Sequence, residues 1–292
     1  MQFTKMHGAG NDYVYINCFE EDLEGCHLGD LAKAVSDRRF GIGSDGLILV
    51  EPSDIADFRM RIFNPDGSEA EMCGNGVRCF AKYVYERGLT TKKNLTVQTG
   101  AGIVEPKLFV RGKHVVRVRV DMGAPRLTRA EVPMRVKGKA ESDRVIDEPL
   151  RVTGKRVNVT CLSMGNPHCV LFVKHAETAP VETLGPAIEN HTVFPRRTNV
   201  EFVEVQDTSN IALRVWERGA GETLACGTGT CAAVVACNLN KLTGREVTAR
   251  LRGGELHIEW AGNDHVFMTG PAEEVYSGEF DEKALLASQP PA

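Results

Sequence analysis

The sequence predicts an α+β fold of two pseudo-symmetric halves, each an antiparallel set of strands, as a sheet or barrel, wrapped around one central helix. Three observations carry this. Residues 46–76 overlay residues 199–229 without a gap, so that Val50, Glu51, Asp54, Arg61, Glu69, Cys73, Gly74 and Gly76 fall on identical residues. Apolar positions recur in step. Leu47, Leu49, Met60, Ile62 and Phe63 stand over Val200, Phe202, Leu213, Val215 and Trp216, as two strands burying the same faces require. Each copy then ends in a cysteine before a glycine-rich turn that opens a long apolar helix: Met72-Cys73-Gly74-Asn75-Gly76 and Ala225-Cys226-Gly227-Thr228-Gly229.

The elements follow in chain order. Met1 to Met6 reads as a strand, and Leu28 to Val35 as a modest helix. Strands are expected at Leu47 to Glu51, Phe58 to Phe63, Leu95 to Gln98 and Val115 to Val120, the last alternating valine with arginine. Between them lies the helix Gly76 to Arg87, closed by Gly88. The second half offers strands at Asn158 to Leu162, Cys169 to Val173, Val200 to Val205 and Ile211 to Trp216, and a hairpin around Gly253-Gly254. Its helices are Glu182 to Asn190 and Gly229 to Leu242, with Gly244 as the stop. The two long helices are apolar on most sides, and such helices are buried. Val120 to Pro125 is the crossover, so the halves are 1–121 and 122–269, and the strand-like Glu274-Val275-Tyr276 suggests that the tail 270–292 returns to the first half. Gly10-Asn11 also echoes Gly165-Asn166, at an offset two residues larger than that of the main repeat.

Composition narrows the function. At 292 residues and 42% hydrophobic content, the chain supports two real cores. A net charge of -4 without a basic tract argues against nucleic acid. No long apolar run suggests a membrane, and the strand-like N-terminus lacks a signal-peptide pattern, so a cytoplasmic protein is expected. Nine cysteines, an odd number without CxxC spacing, suit reduced thiols better than disulfides or a metal site. Cys18, Cys26, Cys79, Cys161, Cys169, Cys231 and Cys237 read as small buried hydrophobes.

Cys73 and Cys226 read differently. The first turn of a helix carries unpaired N–H groups and the positive end of the dipole, which favour both a thiolate and a bound carboxylate. If the two helices meet across a domain interface, a carboxylate held by the N–H groups of Gly74, Asn75, Gly227 and Thr228 leaves its α-carbon between two sulfurs. That is the arrangement of a racemase without a cofactor: one thiolate takes a proton from one face and one thiol returns a proton to the other.

These residues carry a family resemblance. His7-Gly8-Ala9-Gly10-Asn11-Asp12, Phe40-Gly41-Ile42-Gly43, Phe63-Asn64-Pro65-Asp66-Gly67-Ser68, Met72 to Gly76, Met164-Gly165-Asn166-Pro167-His168, and Glu217 to Thr223 followed by Ala225-Cys226-Gly227 make the chain similar to the diaminopimelate epimerases of lysine biosynthesis. The resemblance implies a cofactor-independent homodimeric enzyme that interconverts LL- and meso-diaminopimelate. It gives Cys73 the proton of the LL substrate and Cys226 that of the meso form. It places Asn11, Asn64, Asn166 and Asn199 at the non-reacting end of the substrate, with Arg218 on the distal carboxylate, Glu217 on the distal ammonium, and His168 with Glu217 tuning the thiols.

One position departs from the family pattern. Many members carry a glutamine where this chain has Gly46, so a side-chain contact to substrate is expected to be replaced there by water or backbone. Two other readings stay open at this stage: a proline racemase-like enzyme, which would not need Glu217-Arg218, and a non-catalytic amino-acid binding module of the same fold.

Overall fold

The computed structural model describes residues 1–288; the end of the expected returning tail, 289–292, lies outside the described residues. The chain divides into two compact units, one of residues 1–120 and 270 onward, the other of residues 121–269.

The first unit begins with strands β1 (Gln2–Gly8) and β2 (Asn11–Asn17), helix α1 (Leu28–Ser36), β3 (Leu47–Glu51), β4 (Phe58–Phe63) and β5 (Glu69–Ala70). Helix α2 (Gly74–Glu86), β6 (Val97–Thr99), β7 (Gly102–Val104), β8 (Lys107–Arg111) and β9 (His114–Asp121) follow. The second unit holds β10 (Val145–Val152), β11 (Lys155–Ser163), β12 (Pro167–Phe172), α3 (Val181–Glu189), β13 (Asn199–Val205), β14 (Asn210–Glu217) and β15 (Gly221–Thr223). It ends with α4 (Gly227–Leu239), β16 (Glu246–Leu251), β17 (Gly254–Trp260) and β18 (Val266–Gly270), after which β19 (Glu273–Glu279) and α5 (Glu282–Ala287) belong to the first unit.

The repeat is a repeat of topology. In the first unit the strands run β19-β1-β2-β3-β4-β6-β7, with β5 against β4; in the second, β10-β11-β12-β13-β14-β16-β17-β18, with β15 against β14. The sheets are mixed where purely antiparallel ones were expected. The parallel pairs are β2 with β3, β4 with β6, β12 with β13 and β14 with β16. Each is joined through a helix (α1, α2, α3 or α4), and a parallel pair needs such a crossover. The matched Arg61/Arg214 and Glu69/Glu222 also acquire a reason. Each pair is bidentate, at 2.8 and 2.9 Å in one unit and 2.6 and 2.8 Å in the other, and it clips the short strand β5 or β15 to its neighbour.

Helices α2 and α4 are the central ones. Eleven of the thirteen residues of α2 are buried. Helix α4 packs on β11, β12, β13, β16 and β17, its Ala, Val and Cys side chains filling the space they enclose. Both start two residues earlier than the apolar pattern implies, because the cysteines themselves are the N-caps. Cys73 and Cys226 are extended (φ -138° and -124°), and each sulfur accepts a hydrogen bond from the N–H three residues on, Gly76 or Gly229, at 3.4 Å.

The helix ends match too. In α2 the Gly88 N–H bonds to the Tyr85 carbonyl and the Leu89 N–H to that of Val84; in α4 Lys241 and Leu242 bond in the same way to Asn238 and Cys237. This double bond pattern needs a left-handed residue just past the cap. Gly88 supplies it at φ +74°, and Lys241 supplies it at φ +60°. The stop in the second unit is therefore exposed Lys241, not Gly244. A side chain in that conformation costs about 1–2 kcal/mol. Lys241→Gly should stabilise the protein by about 0.5–1 kcal/mol after the greater unfolded-state freedom of glycine is subtracted. A urea midpoint that falls in the variant would contradict this account of the cap.

Candidate active site

In the first unit, Cys73 lies at the mouth of α2, partly exposed. The Tyr13 hydroxyl donates to Sγ at 3.2 Å, the Gly76 N–H donates at 3.4 Å, and the thiol faces Asn11 Oδ1 at 3.5 Å. Asn11 is fixed from both ends: its Oδ1 accepts from Asn75 Nδ2 at 3.2 Å, and its Nδ2 donates to Asp45 at 2.7 Å. Asn75 is held in turn by buried Arg78, whose guanidinium also donates to the Pro271 carbonyl. Asn64 stands at the end of β4 in a turn closed by Ser68, to whose hydroxyl it donates at 3.0 Å.

The second unit builds the same mouth from other chemistry. Cys226 is 5% exposed, with Thr228 Oγ1 at 3.5 Å. Thr228 accepts from Asn166 Nδ2 at 3.3 Å, and Asn166 Oδ1 lies 2.9 Å from His168 Nε2. His168 Nδ1 lies 2.7 Å from Glu201 Oε1, both side chains being fully buried. A continuous chain of hydrogen bonds thus runs from the sulfur to a buried carboxyl group. Glu217 accepts from the Thr223 hydroxyl at 2.5 Å. Burial first, and then the carboxylate of Glu217, push the Cys226 thiol well above its ordinary value, with Glu201 adding in the same direction against Thr228 and the Gly229 N–H. Burial likewise raises Glu201, opposed by His168. At neutral pH Cys226 is a thiol, a proton donor.

The expected site residues therefore gather into two sets. Asn11, Cys73, Gly74 and Asn75 form one, with Asn64 at the adjoining strand end; Asn166, His168, Asn199, Glu217, Arg218, Cys226, Gly227 and Thr228 form the other. Two of them are buried and serve to hold the protein together. The buried Asn199 amide accepts from the Arg218 N–H at 2.9 Å and donates to the Pro167 carbonyl at 2.8 Å, so it ties two strand ends together. Both ring nitrogens of His168 are engaged, so it reaches the sulfur through Asn166 and Thr228. Arg218 is exposed and fastened at one nitrogen to the Arg196 carbonyl.

Gly46 has a steric cause. A Cβ there would lie 2.4 Å from the Phe63 carbonyl oxygen and 3.1 Å from the ring of Tyr13, at φ +154°. The room a side chain would need is taken first by the Phe63 carbonyl and then by the Tyr13 ring. Sequence reasoning missed Tyr13 and Glu201, although the repeat carries the signal: Glu201 overlies apolar Ile48 in an otherwise matched strand, and Tyr13 overlies His168 at the Gly10/Gly165 offset. Of the seven cysteines expected to be buried, Cys18 and Cys26 are partly exposed and five are buried. Among the described residues no cluster of His, Cys, Asp or Glu could hold a metal ion, and no helix is long and apolar enough to cross a membrane.

Residues 3–128 and 160–275 match the family described as diaminopimelate epimerase. The chain belongs to the diaminopimelate epimerase family. It is 57% identical over 281 residues to the diaminopimelate epimerase of Moorella thermoacetica, covering 96% of this chain and 99% of that one. It is 50% identical over 282 residues to that of Methanococcus maripaludis, covering 96% and 100%. The family members of that name are isomerases, and this chain is an enzyme of that class. Solved structures share the fold: a phenazine biosynthesis protein of Bacillus anthracis (TM-score 0.69, 17% identity, 96% and 98% covered) and a probable proline racemase of Agrobacterium radiobacter (TM-score 0.68, 17% identity, 96% and 92% covered).

The electrostatics of the second set are testable without substrate. In Glu217→Gln the largest charge acting against a Cys226 thiolate is gone, so the pH midpoint for iodoacetamide alkylation of Cys226, read by peptide mass spectrometry, moves down. A midpoint that stays or rises refutes this account of the thiol.

Proposed function

We propose that the enzyme interconverts LL- and meso-2,6-diaminopimelate by a two-thiol mechanism without a cofactor, in the supply of lysine and of the peptidoglycan precursor, as a cytoplasmic homodimer. The observation that carries the reading is the pair of equivalent cysteine N-caps, each at the head of a buried helix, set in unlike electrostatic surroundings. In the LL-to-meso direction the Cys73 thiolate removes the α-proton and the Cys226 thiol delivers a proton to the opposite face. The pair ends with Cys73 protonated and Cys226 ionised, ready for the reverse reaction or for exchange with solvent.

The surroundings support this division. Cys73 receives two neutral donors, which favour an anion. Cys226 is buried beside carboxyl groups, which favour the proton. The first-turn N–H groups of Gly74, Asn75, Gly227 and Thr228 would take the α-carboxylate, and both helix dipoles would act on the charge that develops at the α-carbon. Asn64 overlies Glu217, and Pro65 overlies Arg218, so at this strand end the second half is the one that carries charged residues. That inequality fits a substrate with an ammonium and a carboxylate at its far end, engaged by Glu217 and Arg218 with Asn11, Asn64, Asn166 and Asn199 around them. Proline has no such end.

Wild-type protein given LL-diaminopimelate in D2O should form meso product carrying one α-deuterium, because the returned proton comes from a thiol in exchange with solvent. Cys73→Ala and Cys226→Ala should each lower kcat/KM by about a thousandfold or more. Inversion without label, or turnover of proline in place of diaminopimelate, would exclude the proposal.

A further inference from the structure

We propose that Tyr13 is a positioning residue for Cys73: its phenol donates a hydrogen bond to Sγ that aims the sulfur and stabilises it as the thiolate, filling in the first unit the place that His168 holds in the second. The inference deepens the reading of Cys73 as a base and rests on it.

Three independent observations meet at this residue. The first is the contact itself, Tyr13 Oη to Cys73 Sγ at 3.2 Å, with Tyr13 7% exposed. The second is register. Strand β2 pairs in parallel with β3 from Val14 opposite Leu47, which sets Tyr13 beside Gly46, and the Val14 N–H bonds to the Gly46 carbonyl at 3.0 Å. Strand β12 pairs in parallel with β13 with His168 opposite Asn199. Gly46 overlies Asn199 in the repeat, so Tyr13 and His168 occupy equivalent places two residues after equivalent asparagines. The third is space. The Tyr13 ring lies 3.1 Å from where a Cβ at position 46 would stand, behind the Phe63 carbonyl at 2.4 Å, so the glycine that departs from the family pattern leaves the phenol room.

The chemistry of the two places differs in a useful way. His168 is backed by Glu201, whereas the position beneath Tyr13 that corresponds to Glu201 is Ile48. Burial, and next the sulfur itself, hold the Tyr13 phenol well above its ordinary range, so it stays a donor wherever a thiol titrates. The other titratable and charged groups near the pair are Asp45, bonded to Asn11; Arg78, one turn along α2 and bonded to Asn75; Tyr15, whose hydroxyl donates to the Gly76 carbonyl; and Cys79, which burial pushes up to about 12. Asp12, Lys5 and Arg38 form a network behind Asp45. The Tyr13 phenol donates directly to the sulfur.

The test is the pH midpoint for iodoacetamide alkylation of Cys73 in the full chain, followed on its own peptide. In Tyr13→Phe it should rise by about one pH unit, the size expected for a lost hydrogen bond to a charged acceptor, while the Cys226 midpoint holds. The acid limb of kcat/KM for LL-diaminopimelate should move up with it. Site-specific 3-fluorotyrosine at position 13, a stronger donor of nearly the same shape, should move the Cys73 midpoint down, and it decides the matter if the phenylalanine variant fails to fold. A Cys73 midpoint unmoved in the folded variant overturns the proposal. The alkylation readout needs no substrate, so a wild-type protein inert toward diaminopimelate would remove the proposed reaction and leave the Tyr13 assignment to be judged on the midpoint.

Discussion

The unpaired N–H groups at the first turn of a buried helix are the constraint around which each unit is arranged. A buried helix start must satisfy these donors or offer them to a ligand. Here the cysteine sulfur takes one of them, that of the third residue, and the strand beneath presses directly against that residue. A Cβ on Gly76 would lie 2.8 Å from Ile48 Cδ1, and one on Gly229 would lie 2.8 Å from Glu201 Oε1. Glycine there lets the strand side chain beneath keep its place, close under the helix start. The βαβ crossovers follow from the same need, since a helix buried nearly all round requires strands on several sides.

With the frame set, the two halves differ mainly in what lies under the sulfur. One floor is apolar Ile48 with a neutral phenol above it; the other is Glu201 with an imidazole. Replacing an aliphatic side chain by a buried carboxyl group is costly unless it is hydrogen-bonded, and His168 supplies the partner at 2.7 Å. This single divergence, together with Glu217 at the neighbouring strand end, sets carboxyl groups near the Cys226 thiol where the matched place in the first unit holds an aliphatic side chain. Shape is duplicated while charge is not.

Much of this was legible in the amino-acid sequence because repeats and helix starts are local. The overlay of 46–76 on 199–229 located both central helices, both cysteines and the strand ends bearing Asn64 and Glu217. What escaped was set by tertiary burial. Strand β2 does not alternate because its last five residues are all buried, so its spelling lacks the half-exposed signature. Lys241 in the left-handed cap defeats a rule that looks for glycine, and Gly244 was the nearer match to that rule. Glu201 reads as the solvent face of an alternating strand, since only the position of α4 reveals that this face is covered. Tyr13 reads as one more β-forming aromatic, and its contact with a cysteine sixty positions along the chain depends on a crossover that composition does not encode.

The placement of β19 bears on how the chain can acquire its structure as it is made. The strand next to the outermost position of the first unit, β1, completes its pairing with β19, and the Met1 amino group bonds to the Phe280 carbonyl at 2.7 Å. Between these two strands the whole of the second unit is threaded as an insertion. On the ribosome that inserted unit has all its strands before the enclosing one does, so the unit translated first is the last to be finished. An open β1 edge waits through the synthesis of residues 121–269, and the late strand that covers it also brings the Pro271 carbonyl that anchors Arg78, and through Asn75 the Asn11 beside Cys73. The half that holds the proposed base thus matures only after the inserted unit has been made.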